Sequence, residues 1–267
     1  MKKISISNIY IGFILLLMYL PILIVVIYSF NDNRLSSVWS GFSLRWYGEL
    51  FRDRSMFEAL RNSVILAGAS AVFAAIIGTL GAFGMSRVKL RSAAFMEYLA
   101  TLPIMVPEII LGMVFLAFFS LVRLPFGMVT LVIAHTSFCV PYILLLVKAR
   151  LAGMDKSYVE AARDLGAGEL RAFIDVTFPL ILPAVISGML LAVAMSLDDV
   201  IVSVFVTGVN TNTLPIKIYS QIKTGVTPKT NALCTILFLF TIIMGWVSSV
   251  IGRGGFKRGK NRSASNM

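Results

Sequence analysis

Six long runs of apolar residues, separated by polar segments, dominate this sequence. A helix that crosses the hydrocarbon core of a bilayer needs about 20 mostly apolar residues, and each run approaches that length. The pattern therefore predicts six membrane-spanning helices joined by polar connections. The predicted spans cover residues 9–30, 62–85, 98–122, 127–147, 178–206 and 231–251.

Several of these runs carry features of their own. The first follows Lys2 and Lys3 but is longer than the apolar part of a signal peptide and has no small-residue cleavage pattern, so we expect a retained span. The second is uncharged and rich in Gly, Ala and Ser, which let helices approach closely in lipid. The third contains Pro103 and Pro107, and proline breaks the helical hydrogen-bond pattern, so we expect a kinked span there.

The composition supports an all-α membrane protein with one transmembrane domain over residues 1–267. Hydrophobic residues make up 58% of the chain and charged residues 14%, which excludes a disordered chain. The same figures argue against nucleic-acid binding, although the pI is about 9.9.

The chain shows no motif for chemistry of its own. Cys139 and Cys234 lie in apolar runs, without the spacing of a disulfide framework or a metal site. His135 is the one histidine, and a lone histidine in an apolar run is typical of interior packing or hydrogen bonding. With no catalytic triad and no phosphate-binding loop, we expect neither an enzyme nor a bound metal or cofactor, and any ATP chemistry must come from a partner.

The formal net charge of +11 reflects membrane topology. If the amino terminus lies inside, the inner segments hold 15 of the 24 Lys and Arg residues, as the positive-inside rule requires. The turn at 87–91 and the tail after residue 251 contain no acidic residue. We therefore expect both termini in the cytoplasm, with the basic segments next to anionic membrane lipid.

Acidic residues within or beside the spans are rare. A carboxylate at mid-bilayer costs about 2.5–3.5 kcal/mol, so such residues usually face a cavity. At 1.5 Å per residue, Glu108 and Asp198 would lie about 20 Å and 22 Å from the inner ends of their spans, at one level. We predict a substrate pathway lined by Glu108, Asp198 and Asp199 that would suit a cation.

Two questions about these acids stay open from the residues alone. Neighbours on a helix point about 100° apart, so at most one of Asp198 and Asp199 can face a narrow channel squarely. The alternative is a helix end at the outer surface, followed by a re-entrant segment at 200–206. For Glu97 we expect a pairing with Arg91 or with a neighbouring subunit.

The predicted inner loop, 148–177, contains a short helix over 158–165. Ser157 lies three residues before Glu160, which is a capping-box pattern. Val159 and Ala162 would form an apolar face, and Gly166 would end the helix. Both a docking surface and a solvated connector fit this pattern.

The spacing in this loop resembles the EAA loop of ABC importer permeases. Glu160-Ala161-Ala162 is followed after three residues by Gly166, and after nine more by Val176-Thr177-Phe178-Pro179. Val176 and Phe178 replace the Ile and Leu of the family pattern and stay apolar. In such permeases this segment docks on the cytoplasmic ATPase. The resemblance therefore implies that ATPase coupling involves Ser157, Glu160, Ala161, Ala162 and Gly166.

Three further segments, at 135–142, 195–208 and 214–220, resemble the second permease subunit of bacterial spermidine/putrescine importers. The resemblance implies the type I ABC importer permease fold in the bacterial inner membrane, with polyamines translocated by alternating access. It implies a homologous permease subunit, an ATPase dimer that uses ATP and Mg²⁺, and an extracytoplasmic polyamine-binding protein. It also favours Asp198 over Asp199. The alternatives are a permease for iron, thiamine or an organophosphonate, and a membrane scaffold without transport activity.

Overall fold

The computed structural model describes residues 6–34, 38–87, 93–155 and 157–243. Regular structure in these ranges is helical, apart from an isolated bridge between Asn31 and Phe42. A π-helical turn, Phe173–Thr177, directly precedes α9. The helices are α1 (Ile6–Tyr28), α2 (Arg45–Phe51), α3 (Arg54–Arg87), α4 (Ala93–Met105), α5 (Glu108–Leu121), α6 (Met128–Ala152), α7 (Ser157–Asp164), α8 (Glu169–Ala172), α9 (Phe178–Asp198), α10 (Ile201–Val206), α11 (Leu214–Thr224) and α12 (Pro228–Ile243).

The chain divides into two compact units. The larger is Ser55–Tyr219, which contains nearly all of α3 and the helices α4 to α10. The smaller combines Met1–Arg54 with Ser220–Met267.

Helix α6 is the centre of the larger unit. It packs along α9 and also contacts α4 and α10. The packing is close around Ile143 of α6, because a Cβ on Gly78 of α3 or on Gly188 of α9 would lie 3.1 Å and 3.0 Å, respectively, from its side chain. The small residues of the second apolar run thus bring α3 close to α6, as predicted.

The smaller unit is organised around a buried asparagine. The Asn31 side chain donates to the Val38 carbonyl at 2.7 Å and accepts the Ser40 N–H at 3.0 Å, while Trp46 Nε1 donates to the Asn31 carbonyl at 2.8 Å. Lys229 and Asp53 form an ion pair at 2.5 Å. The most apolar stretch of Tyr10–Tyr28 also belongs to this unit, and described residues bury no part of it.

Four helical stretches in the described ranges are long and apolar enough to cross a membrane: Tyr10–Tyr28, Arg54–Arg87, Met128–Ala152 and Glu169–Asp198. A fifth span would combine Phe95–Met105 with Glu108–Leu121. The last predicted span, 231–251, starts within α12, and its part from residue 244 onward lies outside the described residues. The number six therefore stays a prediction.

Two predicted spans are interrupted more sharply than expected. The third bends by 106° between α4 and α5, since Pro107 cannot continue the helix. The height of Glu108 derived from a continuous axial rise therefore does not apply. The fifth, predicted as one span over 178–206, is broken after Asp198, and the short helix α10 follows. Whether 200–206 is re-entrant stays a prediction.

Candidate functional site

Two helix breaks supply the acidic residues of the site. Helix α5 begins at Glu108, directly after Pro107, whose carbonyl accepts the Ile110 N–H at 2.9 Å. Helix α9 ends at Asp198, and Asp199 has extended backbone (ψ 125°) before α10 begins. Both breaks therefore leave a carboxylate at the end of a helix.

Close packing of α5 on α10 brings the two breaks together. A Cβ on Gly112 of α5 would lie 2.5 Å from Cδ2 of Phe205 in α10, so only glycine leaves room for this ring. Beyond α10, a Cβ on Gly208 would lie 2.0 Å from the Phe126 carbonyl oxygen, so the chain again needs glycine to pass. The two contacts fix α10 against α5 and the start of α6.

A cavity of about 460 Å³ lies between the breaks, within the larger unit. Its described lining contains three acidic residues and no lysine or arginine. The electrostatic potential in the cavity is therefore negative and attracts cations. Side chains of Glu108 and Asp198 are exposed to it. Its polar and aromatic lining comes from Glu108, Asp198, Asp199, Phe138 and Tyr142.

The two neighbouring aspartates differ in surroundings. Asp199 Oδ1 and Oδ2 accept the backbone N–H groups of Val202 at 3.2 Å and Ser203 at 2.8 Å, and its side chain is 6% exposed. It therefore caps the start of α10. Asp198, by contrast, is exposed and lines the cavity, and its preference over Asp199 as a pathway residue stays a prediction.

Helix α6 adds residues that sequence reasoning did not assign to the site. Phe138 and Tyr142 line the cavity, and the four-residue spacing between them places both on one helix face. That periodicity was the available signal, but an aromatic pair in an apolar run is equally typical of packing.

His135 lies one turn before Phe138 on α6 and is fully buried. Its Nδ1 is 2.8 Å from Ser196 Oγ in α9, and its Nε2 is 2.9 Å from Ser203 Oγ in α10. The Nε2 atom also lies 3.4 Å from Asp199 Oδ2. The prediction of an interior, hydrogen-bonded histidine is confirmed.

Glu97 has an ionic partner that the sequence analysis did not name. It forms an ion pair with Lys148 near the end of α6, and both side chains are partly exposed. The expected pairing with Arg91 or with a neighbouring subunit stays a prediction, since Arg91 lies outside the described residues. Lys148 was not considered because it is distant in sequence, and only the packing of α4 on α6 brings the two together.

The candidate coupling segment is a short amphipathic helix, α7. Val159 is buried and Ala162 half-buried, as the predicted apolar face requires, whereas Leu165 is 90% exposed. Ser157, Glu160, Ala161 and Gly166 are also exposed. Gly166 has φ +87°, a conformation that favours glycine, and so turns the chain out of the helix.

The start of α7 is held by Asp155, which sequence reasoning missed. Asp155 Oδ1 accepts the Ser157 N–H at 2.9 Å, so the capping oxygen precedes the predicted capping box by two residues. Hydrogen bonds from the backbone and side chain of Ser157 hold the pKa of Asp155 below its ordinary value. The carboxylate thus stays charged at the helix start, where negative charge is favourable.

The family described as binding-protein-dependent transport system inner membrane component matches residues 70–257, which include the cavity and the coupling segment. The chain belongs to this family. It is therefore a multi-pass membrane component of a transport system, not an enzyme.

Related permeases match most of the chain. The spermidine/putrescine transport system permease protein PotC of Haemophilus influenzae is 38% identical over 95% of this chain and 98% of its own length. The putrescine transport system permease protein PotI of Escherichia coli K12 is 40% identical over 86% of this chain and 85% of its own length. The predicted resemblance to this group of permeases is confirmed.

Solved transporters share the permease fold at low sequence identity. A chain of a bacterial ABC transporter that imports the acidic polysaccharide alginate has a TM-score of 0.70 and 16% identity, with 95% of this chain and 99% of that chain covered. A chain of the MetNI methionine ABC transporter has a TM-score of 0.58 and 17% identity, with coverage of 80% and 99%. The predicted type I ABC importer permease fold is thereby confirmed.

Proposed function

We propose that this permease translocates polyamines into the bacterial cytoplasm as one subunit of an ATP-driven importer. Its relatives supply the substrate class, because both PotC and PotI are named for putrescine or spermidine transport. Its partners would be a homologous permease, a cytoplasmic ATPase dimer and an extracytoplasmic polyamine-binding protein. Both termini would lie on the cytoplasmic side of the inner membrane.

The cavity between the helix breaks carries this proposal. Polyamines are chains of methylene groups that carry two or more ammonium charges. The exposed carboxylates of Glu108 and Asp198 offer two opposite charges, and Phe138 and Tyr142 offer aromatic surface. Aromatic faces attract ammonium groups by about 0.5–2 kcal/mol each. The cavity therefore combines two kinds of group that attract the ammonium charges of the substrate.

Helix α6 would transmit the ATP-driven motion of the coupling segment to this cavity. This 25-residue helix lines the cavity with Phe138 and Tyr142 and ends at Ala152, shortly before α7. Docking of α7 on the ATPase would use its exposed surface, including Glu160 and Ala161. ATP and Mg²⁺ would bind to the ATPase, and this chain would bind no cofactor.

The cavity weighs against one alternative substrate class. An organophosphonate is an anion and would need a basic group, but the described cavity lining contains acidic and no basic residues. Iron and thiamine are cations, and the experiments below separate them from polyamines. A scaffold would give no uptake at all.

The test is uptake of radiolabelled putrescine by the complete importer in proteoliposomes, with Glu108→Gln and Asp198→Asn in this subunit. Hydrogen bonds to charged groups contribute about 1.5–3 kcal/mol, so we expect each variant to lower Vmax/KM by about 10-fold or more. Glu58→Gln is the matched control, since Glu58 is exposed on α3 and does not line the cavity. Wild-type uptake in both cavity variants would refute the assignment.

A further inference from the structure

One buried side chain contacts both sides of the break between α9 and α10. His135 comes from α6, and its two ring nitrogens reach Ser196 before the break and Ser203 after it, at 2.8 and 2.9 Å. Ser196 and Ser203 are themselves buried, so water cannot replace these bonds at low cost. The two ends of the break are thus tied to α6 through a single imidazole.

The hydrogen-bond pattern has a consistent direction. The oxygens of Asp199 already accept the Val202 and Ser203 backbone N–H groups, and Oδ2 lies 3.4 Å from His135 Nε2. A proton on Nε2 faces two acceptors, Ser203 Oγ and Asp199 Oδ2, and Nδ1 then accepts the Ser196 hydroxyl proton. This tautomer satisfies every polar atom of the imidazole.

We propose that His135 is a positioning residue for substrate binding, and that it acts through Asp198. Asp198 is the last residue of α9 and lies between the two anchored serines. With Ser196 and Ser203 held by one ring and Asp199 committed to the α10 cap, the Asp198 carboxylate is directed to the cavity. Loss of the imidazole would free the break and let Asp198 leave its position, while α6, α9 and the coupling segment stay in place.

This inference rests on the proposed function, and it differs from an ordinary core role for His135. A residue that only fills space would lower the amount of assembled importer or its maximal rate. A residue that positions Asp198 would raise the KM for a cationic substrate, and only when Asp198 carries its charge.

The experiment is a double-mutant cycle in the complete importer, read as KM and Vmax for radiolabelled putrescine uptake into proteoliposomes. We expect His135→Leu to raise KM about 10-fold and to change Vmax less than about threefold. His135→Gln keeps one side-chain amide that can bridge the serines, so the rise in KM should be much smaller than in His135→Leu. In the Asp198→Asn background, His135→Leu should change KM by less than about twofold, because a residue that acts through the Asp198 charge has no effect on KM once that charge is removed; the cycle measures this dependence as a coupling energy.

The matched control is Thr136→Val, which changes the neighbouring residue of α6 at equal shape. Thr136 is buried, and its hydroxyl has no hydrogen-bond partner in the described part of the chain, so its loss should leave KM unchanged. Should His135→Leu fail to assemble, Ser196→Ala and Ser203→Ala each remove one bond and answer the same question.

Two results would overturn the inference. One is an equal rise in KM from His135→Leu with and without Asp198→Asn; the other is a loss confined to Vmax. The proposed function fails separately, if the wild-type importer takes up no putrescine, and the cavity assignment fails if Glu108→Gln and Asp198→Asn both leave KM and Vmax at wild-type values.

Discussion

Asp198 and Asp199 show how neighbouring residues of one type take different roles at a helix break. Asp199 accepts two backbone N–H groups at the start of α10, and Asp198 stays exposed to the cavity. The sequence indicates that both cannot face a channel, but it does not indicate where α9 ends. The location of the break decides which carboxylate becomes a cap.

Replacement of Asp199 should therefore affect stability, in contrast to replacement of Asp198. We expect Asp199→Ala to lower the melting temperature of the purified importer by a few degrees, since loss of a capping side chain costs about 0.5–2 kcal/mol. Asp198→Asn should leave the melting temperature within about one degree. Differential scanning fluorimetry in detergent measures both, and equal melting temperatures for the two variants would contradict the cap assignment.

At the scale of elements, α7 combines a buried side with an exposed one. Val159 anchors the helix, and Gly166 turns the chain outward with φ +87°. Gly168 lies two residues later with φ −65°, which any residue adopts. No neighbour lies within 4 Å of a Cβ added to either glycine, so the two positions differ in backbone conformation and not in space.

This pair of glycines makes a matched test of the coupling segment. We expect Gly166→Val to lower putrescine uptake per ATP hydrolysed by about fivefold or more, because a β-branched residue disfavours positive φ and would displace the end of α7. Gly168→Val should stay within about twofold of wild type. The ratio of uptake to phosphate release in proteoliposomes is the measurement. Equal ratios for both variants would contradict a role for the turn.

The sequence predicts these elements unevenly. The helix predicted over 158–165 is found at Ser157–Asp164, shifted by one residue. It could be predicted because its apolar face and its glycine stop are local signals. Asp155 was missed because a capping residue can be recognised only when the first residue of the helix is known. The 106° bend before Glu108 was underestimated, since a proline reveals an interruption but not its angle. The contacts of His135 with Ser196 and Ser203 depend on tertiary packing and have no local signature.

For the whole molecule, a formal charge of +11 coexists with a cavity lined by three acidic residues and no basic ones among those described. These observations are compatible because the positive charges lie mostly in the connecting segments, whereas the cavity charge comes from helix ends. The apolar surface of α1 is not covered by described residues, and it needs an apolar environment such as lipid because contact of apolar surface with water is unfavourable.

Substrate competition tests whether the cavity accepts cations or anions. We expect excess spermidine to inhibit putrescine uptake, and an organophosphonate at equal concentration to have no effect beyond its ionic strength. Thiamine and ferric ion discriminate the other cationic alternatives and should inhibit less than spermidine. Inhibition by the organophosphonate in the complete importer would contradict a cation pathway.

The two exposed carboxylates also make the cavity a small ion exchanger. Where water reaches it, Glu108 and Asp198 would attract monovalent counterions, and an arriving diamine would have to displace them. The release of bound ions favours binding less as the ion concentration in solution rises. The apparent affinity for putrescine should therefore fall as salt increases, and the importer should bind its substrate most tightly in dilute media.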